Sequence, residues 1–244
     1  MPNSPSAFIS VIVPARNEAR NLDTLIDEIH TALGPRRHEI IIVDDGSTDD
    51  TPGMLAAKRE RGVPVRHLRH SRSLGQSGAV RTGVWAAEGD FIVTLDGDGQ
   101  NDPAYIPALL DALASAGPDV GLAMGRRTGR TDGAVKGLAS RFANGLRRSL
   151  LNDDALDSGC GLKAVPADLF RRLPFFDGWH RFTPALVRRE GYRMVWIDVI
   201  DRPRGHGRSN YGIFDRGLRG VLDLFGVWWL ARRFRGPAET TEVM

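Results

Sequence analysis

The chain has 244 residues, 41% hydrophobic and 26% charged, with a formal net charge of +3. That composition is ordinary for a globular protein, and the length suffices for one large domain or two small ones around a buried core. A single cysteine, Cys160, excludes an internal disulfide and points to a reducing compartment, and no Cys/His group has zinc spacing.

The segment Met1 to Ser6 has no signal-peptide pattern, and the longest late apolar run, Val221 to Ala231, is broken by Asp223 and too short to span a bilayer. The net charge hides an asymmetry. Seven Lys/Arg and one acid, Asp132, lie between Arg126 and Arg148, and five Arg and one acid, Asp215, between Arg202 and Arg219. The positive field therefore belongs to the second half. It suits nucleic acid, an anionic membrane surface or a phosphate ligand, and otherwise amounts to a solvated basic face.

In chain order, Phe8 to Pro14 is nearly continuous in apolar residues, as in a parallel strand covered on both faces. A helix beginning at Glu18 or Asn21 follows, with Leu22, Leu25, Ile26, Ile29 and Leu33 on one face and Gly34-Pro35 as its stop. Glu39 to Val43 is a second buried strand that ends in the polar turn Asp44-Asp45-Gly46-Ser47-Thr48-Asp49. Helix Thr51 to Arg61, strand Val63 to Leu68, a small-residue helix from Gly75 to Ala87 and a strand ending at Leu95 continue the alternation. A helix capped by Asn101-Asp102-Pro103 runs to about Ala116, and Val120 to Gly125 is a further strand.

Beyond it come a basic loop and a helix carrying Leu138, Phe142, Leu146 and Leu150. A glycine-rich turn at Asp157 to Gly161, a short apolar segment and a loop and helix over 177–193 follow. Strand Val195 to Ile200, an Arg/Gly loop over 202–211, and an amphipathic helix from Ile213 to Arg235 complete the series. The β-α alternation predicts an α/β fold, a doubly wound and mostly parallel sheet flanked by helices. The first strand is not followed by Gly-x-Gly-x-x-Gly, and no Gly-x-x-x-x-Gly-Lys-Ser/Thr occurs, so neither the usual dinucleotide fold nor a nucleoside-triphosphate loop is expected.

Chemistry concentrates where the strand Phe91 to Leu95 ends in Asp96-Gly97-Asp98-Gly99-Gln100. Ligands bind at the carboxyl ends of strands in open α/β sheets. Asp96, Asp98 and Gln100 offer hard oxygen ligands, suited to Mg²⁺ or Mn²⁺ held jointly with substrate phosphates. Two solvated aspartates at a turn are the plainer alternative.

With these residues laid out, the chain resembles the inverting family 2 glycosyltransferases of GT-A fold, and more narrowly their dolichyl- or polyprenyl-phosphate mannosyltransferase-like branch. The matching elements are Val13 to Glu18, Val43 to Asp49, Leu95 to Gln100 with Asp102-Pro103, Gly159 to Lys163, and Arg202 to Gly205 through Ser209 to Gly212. The resemblance implies one domain over 1–235. Residues 1–115 would form its nucleotide-sugar half, 116–212 its acceptor half, 213–235 a membrane-contact or packing helix, and 236–244 a flexible tail. It also implies a nucleotide-sugar donor bound by Pro14, Ala15, Arg16, Glu18, Asp44, Asp45, Asp96 and Gln100, with the metal on Asp96, Asp98 and Gln100. Arg16 stands where many relatives carry Tyr. GDP-mannose is the commonest implication for the donor, and a UDP-sugar stays open.

The implied acceptor is a polyprenyl phosphate. A phosphate monoester is already anionic at neutral pH and needs cations rather than a base. Arg126, Lys136 and Arg141, with Arg202, Arg204 and Arg208, are the expected phosphate ligands. Asp98, Asp157, Arg126 and Arg202 are the expected catalytic residues, Asp157 as a base or orienting carboxylate, or else a turn cap. Cys160 reads as a small packed residue, and His180-Arg181 and His206 lie near the acceptor site or serve structure. Trp228 and Trp229 beside Arg232-Arg233 fit an interfacial helix, a core-packing helix or a dimer contact.

The expectation is then a glycosyltransferase peripheral to the cytoplasmic membrane face, without nucleic acid, with homo-oligomerisation open. The alternatives are a family 2 transferase acting on a soluble or polymeric saccharide, which would need a general base, and a non-catalytic binding module.

Overall fold

The computed structural model describes residues 7–128, 147, 150–151, 155–203, 205, 213–234 and 236, with backbone alone for 213–219. A seven-stranded sheet carries the molecule. The strands are β1 (Ile9–Ala15), β2 (His38–Asp44), β3 (Val65–Arg69), β4 (Phe91–Thr94), β5 (Val120–Arg127), β6 (Lys163–Pro166) and β7 (Arg193–Val199). Their order is β3-β2-β1-β4-β6-β5-β7. All run parallel except β6, which pairs antiparallel with both β4 and β5. The expected mostly parallel sheet is therefore present, with one reversal: the short apolar segment after the glycine-rich turn enters the sheet as β6.

The strands form where the sequence is continuously apolar. Val11, Ile12 and Val13 of β1 and Ile40, Ile41, Ile42 and Val43 of β2 are wholly buried, as two-sided cover requires. Helices α1 (Ala19–Leu33), α2 (Thr51–Glu60), α3 (Gly75–Ala86) and α4 (Ile106–Ser115) connect the first five strands. The α1 face Leu22, Leu25, Ile26, Ile29 and Leu33 is buried as its spacing predicts. Each such side chain contributes about 1.5–3 kcal/mol on leaving water. The later helices are α5 (Ala167–Arg172), α6 (Thr183–Arg189) and α7 (Ile213–Arg232), with a 3₁₀ turn at Trp179–Arg181 before α6.

No helix among the described residues is long and apolar enough to cross a membrane. The helix expected from Leu138 to Leu150 falls almost wholly outside the described residues, as do Lys136, Arg141, Arg204, Arg208 and His206.

Candidate active site

The carboxyl ends of β1, β2 and β4 meet the turn before β6. Gly97 is required here by close approach: a Cβ would sit 2.9 Å from the Pro14 carbonyl oxygen. Gly161 backs onto the carboxylate of Asp96, where a Cβ would come within 2.6 Å of Oδ2. The turn over Asp157 to Gly161 is thereby seated directly on the first aspartate. A hydrogen bond from Thr94 Oγ1 to the Gly161 carbonyl (2.8 Å) ties it there.

Asp96 accepts from Gln76 Nε2 at 2.7 Å, and its backbone N–H donates to Asn101 Oδ1 at 3.0 Å. Burial, and then the neighbouring charge of Asp98, push the Asp96 carboxyl up to about 6, against the opposing pull of Lys163 and Arg127. Asp98 is also buried, and its Oδ1 accepts from the Gln100 N–H at 3.1 Å. A buried Asp96 carboxylate whose charge is disfavoured by burial and by Asp98 is what a divalent cation would relieve, so the donor set fits Mg²⁺ or Mn²⁺. Among the described residues no three His, Cys, Asp or Glu side chains converge. The fit is thus to an ion shared with substrate phosphates rather than to a closed protein cage.

On the nucleotide side, the loop after β1 and the turn after β2 are stapled by Asn17. It takes a left-handed backbone (φ 59°), and its Oδ1 accepts from the Thr48 N–H at 2.8 Å. Asp44 is fully buried, with Oδ1 accepting from the Ser47 N–H at 2.7 Å. Its Oδ2 makes no hydrogen bond, although Arg69 Nε lies 3.3 Å away and His67 Nε2, likewise without a hydrogen-bond partner, 3.5 Å away. Such an orphaned oxygen fits an N–H brought by a ligand.

Asp45 is occupied otherwise. It accepts from the Leu74 N–H (2.7 Å), the Gly75 N–H (2.9 Å) and Ser73 Oγ (2.6 Å), and pairs with His70 Nδ1 (2.8 Å). Burial alone would raise its carboxyl, but these bonds outweigh burial and hold it below the ordinary range. Asp45 thus fixes the start of α3, which carries Gln76. Arg16 donates to Ser73 Oγ at 3.2 Å, and Glu18 accepts from Asn21 Nδ2 where α1 begins.

The acceptor side departs from expectation in three places. Arg126 faces Asp198 across the β5–β7 pair, in a two-pronged exposed ion pair at 2.6 and 2.8 Å. Its neighbour Arg127, not singled out in the sequence, lines the cavity instead. Adjacent strand residues point to opposite faces, so only one of the two could do so.

Asp157 has both oxygens taken by Arg127, through Nε and Nη2 at 2.7 Å each and through the backbone N–H at 3.1 Å. This side-chain pairing also raises the Arg127 guanidinium above its ordinary range. A carboxylate so engaged is a poor proton acceptor. Arg202 is spent on Glu28 (2.8 Å) and Asp102 (2.6 Å), and only its backbone N–H reaches toward the metal turn, donating to the Gln100 carbonyl at 2.8 Å.

The cavity beside Asp96 has a volume of about 260 Å³. Among the residues that line it are Gln76, Asp96, Arg127, Lys163, His180 and Arg181. Lys163 is buried, donates to the Cys160 carbonyl at 2.6 Å, and has its ammonium lowered by that burial. Cys160 is a packed residue as expected, its thiol pushed up to about 11 by burial. His180 and Arg181 are thereby brought to the site. The cue was in the sequence, as adjacent His and Arg, but nothing local distinguished them from surface residues.

Six parallel strands with one reversed, and paired carboxylates at a strand end inside the sheet, define a GT-A glycosyltransferase fold. The chain belongs to the family described as glycosyl transferase family 2, whose sequence model matches residues 10–174. It is 34% identical over 234 residues to the dodecaprenyl-phosphate galacturonate synthase of Rhizobium johnstonii, covering 93% of this chain and 68% of that protein. It is 33% identical over 209 residues to the undecaprenyl-phosphate 4-deoxy-4-formamido-L-arabinose transferase of Edwardsiella ictaluri, covering 84% of this chain and 63% of that one. The chain thus spans about two thirds of the length of these relatives.

Among solved structures, a mycobacterial protein superposes with TM-score 0.70 at 24% identity, covering 91% of this chain and 75% of that one. Glucosyl-3-phosphoglycerate synthase from Mycobacterium tuberculosis, in complex with Mn²⁺, UDP-glucose and glycerol 3-phosphate, superposes with TM-score 0.64 at 23% identity, covering 93% and 80%. These two likenesses show the fold.

Proposed function

We propose that the protein transfers a sugar, with inversion, from a UDP-sugar to a polyprenyl phosphate, using a divalent cation. The observation that carries this reading is the meeting of Asp96, with Asp98 as its charged neighbour, with Arg127, Lys163 and Arg181 around one strand-end cavity. Carboxylates on one side suit a cation on the leaving diphosphate, and cations on the other suit an anionic acceptor. The names of the relatives place galacturonate and formamido-arabinose on dodecaprenyl and undecaprenyl phosphate, which supports the acceptor class. UDP in the structural neighbour favours a UDP-sugar over the GDP-mannose that the mannosyltransferase resemblance implies.

Asp96, Asp98 and Gln100 would hold the ion. Once bound, it would neutralise charge on the departing nucleoside diphosphate. Asp44, with its orphaned oxygen, would receive an N–H of the base, and the Pro14–Ala15 backbone would line the nucleoside. Gln76 and Gly161 fix the carboxylate of Asp96. Asp157 and Asp201 hold the guanidinium of Arg127 at the cavity wall, so Asp157 orients rather than abstracts. A phosphate oxygen attacks the anomeric carbon as the diphosphate leaves from the opposite face, and no base is required. A saccharide hydroxyl would need one, and the engagement of Asp157 counts against that alternative.

Attachment to a membrane surface is part of the reading. Leu222, Phe225 and Trp229 are exposed on one side of α7, and Arg233 stacks on Trp229.

The test is nucleoside diphosphate release from UDP-galacturonate, UDP-glucose and GDP-mannose, each with Mn²⁺ and with or without undecaprenyl phosphate. Release from a UDP-sugar only when the lipid is present supports the reading. Release from GDP-mannose alone overturns the donor, and release onto soluble saccharides alone overturns the acceptor.

A further inference from the structure

Four basic side chains line the cavity beside Asp96, and three of them are already engaged. Arg127 is held by Asp157 and Asp201, Lys163 donates to the Cys160 carbonyl, and His180 Nδ1 bonds Ser77 Oγ at 2.6 Å. The fourth, Arg181, has no carboxylate within ion-pair distance among the described residues, although it lines the same cavity.

The backbone that carries it is fixed. Trp179 is buried and donates from Nε1 to the Ser77 carbonyl at 3.2 Å, and the Gly178 N–H donates to Ser77 Oγ at 2.9 Å. The Arg181 N–H donates to the Gly178 carbonyl at 3.0 Å, the Arg181 carbonyl accepts from Arg147 Nη1 at 3.1 Å, and Thr183 Oγ1 donates to the His180 carbonyl at 3.1 Å. Ser77 and Gln76 are consecutive on the first turn of α3, and Gln76 donates to Asp96. One helical turn thus holds both the 3₁₀ turn of Arg181 and the first metal-side aspartate. An arginine whose backbone is fixed so firmly beside the cavity, with no carboxylate paired to it among the described residues, suits an anionic group that arrives from outside.

We infer that Arg181 binds a phosphoryl group of the substrates within this cavity and is a catalytic residue of the transfer, with Ser77 as its positioning residue. This deepens the proposed function and rests on it: the phosphoryl belongs either to the lipid acceptor or to the donor diphosphate.

The experiment compares full-length wild type with Arg181→Ala, Arg181→Lys and Ser77→Ala. Steady-state transfer from the UDP-sugar that wild type accepts is measured with Mn²⁺ and undecaprenyl phosphate, and UDP affinity is measured separately by calorimetry. Arg181→Ala is expected to lose about 10- to 100-fold in kcat/KM, the worth of a charged hydrogen bond. Arg181→Lys and added guanidinium should recover part of that loss, and Ser77→Ala should show a smaller loss. If the loss falls on the KM for undecaprenyl phosphate with UDP affinity unchanged, the phosphoryl is the acceptor's. If UDP affinity falls in parallel, it is the donor's.

Arg181→Ala with all these constants within about twofold of wild type would overturn the inference while leaving the glycosyltransfer reading intact. An equal loss in Arg181→Ala and Arg181→Lys, with no guanidinium rescue and a lowered melting temperature, would overturn it in favour of a structural arginine. A wild type that transfers no sugar but binds UDP more tightly than Arg181→Ala does would sink the function and keep the phosphoryl site.

Discussion

The two charged regions about the site, a carboxylate wall and a cation wall, fix their charges in different ways. At the carboxyl ends of β2 and β4, Asp44 and Asp98 take partners close in sequence, the Ser47 N–H and the Gln100 N–H, whereas Asp96 takes Gln76 and Asp45 the loop before α3. On β5, the two arginines are held by partners far along the chain: Arg127 at the cavity by Asp157 and Asp201, Arg126 outside it by Asp198. A carboxylate at the end of a strand declares itself through its own turn. A cation in a cross-strand pair is assigned only when the sheet is assembled, because register decides which neighbour it meets.

The sharpest test of the carboxylate wall is Asp98→Asn. We expect kcat to fall about 10³-fold, on the scale of losing a preorganised charge at a developing diphosphate. Addition of a chelator to wild type should have a comparable effect, read as UDP release. If the variant kept near-normal turnover and its metal response, the two walls would not differ in the way described.

On the cation wall, Asp157→Asn leaves Arg127 facing only Asp201. Breaking such a partly desolvated pair should cost up to about 3–5 kcal/mol of unfolding free energy, read from denaturant titrations. A base role predicts the opposite pattern, full stability with no turnover.

Asp45→Asn should destabilise by about 1–3 kcal/mol, since the loop before α3 loses a charged acceptor. The Asp45 pKa is lowered in the folded state, so its contribution is present above the ordinary carboxylate pKa of 3.8 and fades as pH falls through the folded value. The stability gap between wild type and Asp45→Asn should therefore be full near neutrality and close in acid, as thermal melts across pH would show.

The smallest effect is expected at Arg126→Ala. Its exposed pair with Asp198 lies outside the cavity, so turnover should stay within about twofold of wild type. A large loss there would restore Arg126 to the acceptor site. Cys160, buried with a raised thiol, should resist alkylation at neutral pH until the protein unfolds.

Much of the fold was legible because each element states its own pattern. The apolar runs of β1 and β2, the 3.6-residue spacing of α1 and the glycine at Gly34 (φ 52°) required no knowledge of the rest. The candidate metal turn was legible for the same reason, since Asp96, Gly97 and Asp98 follow directly on a strand. Less legible was β6, four residues long, which pairs on both sides with strands remote in sequence. A segment that short is equally good as loop or strand until its partners are in place.

By itself, the sequence determined the alternation of strands and helices, the buried faces, and the strand-end position of Asp96 and Asp98, all set by residue type and local spacing. The tertiary structure decided that Arg127 rather than Arg126 reaches the cavity, that Asp157 is bound to it, and that the Trp179–Arg181 turn is pinned beside Asp96 by Ser77. Those outcomes depend on sheet register and on contacts spanning 30 to more than 100 residues. Such contacts are fixed only by the packed whole.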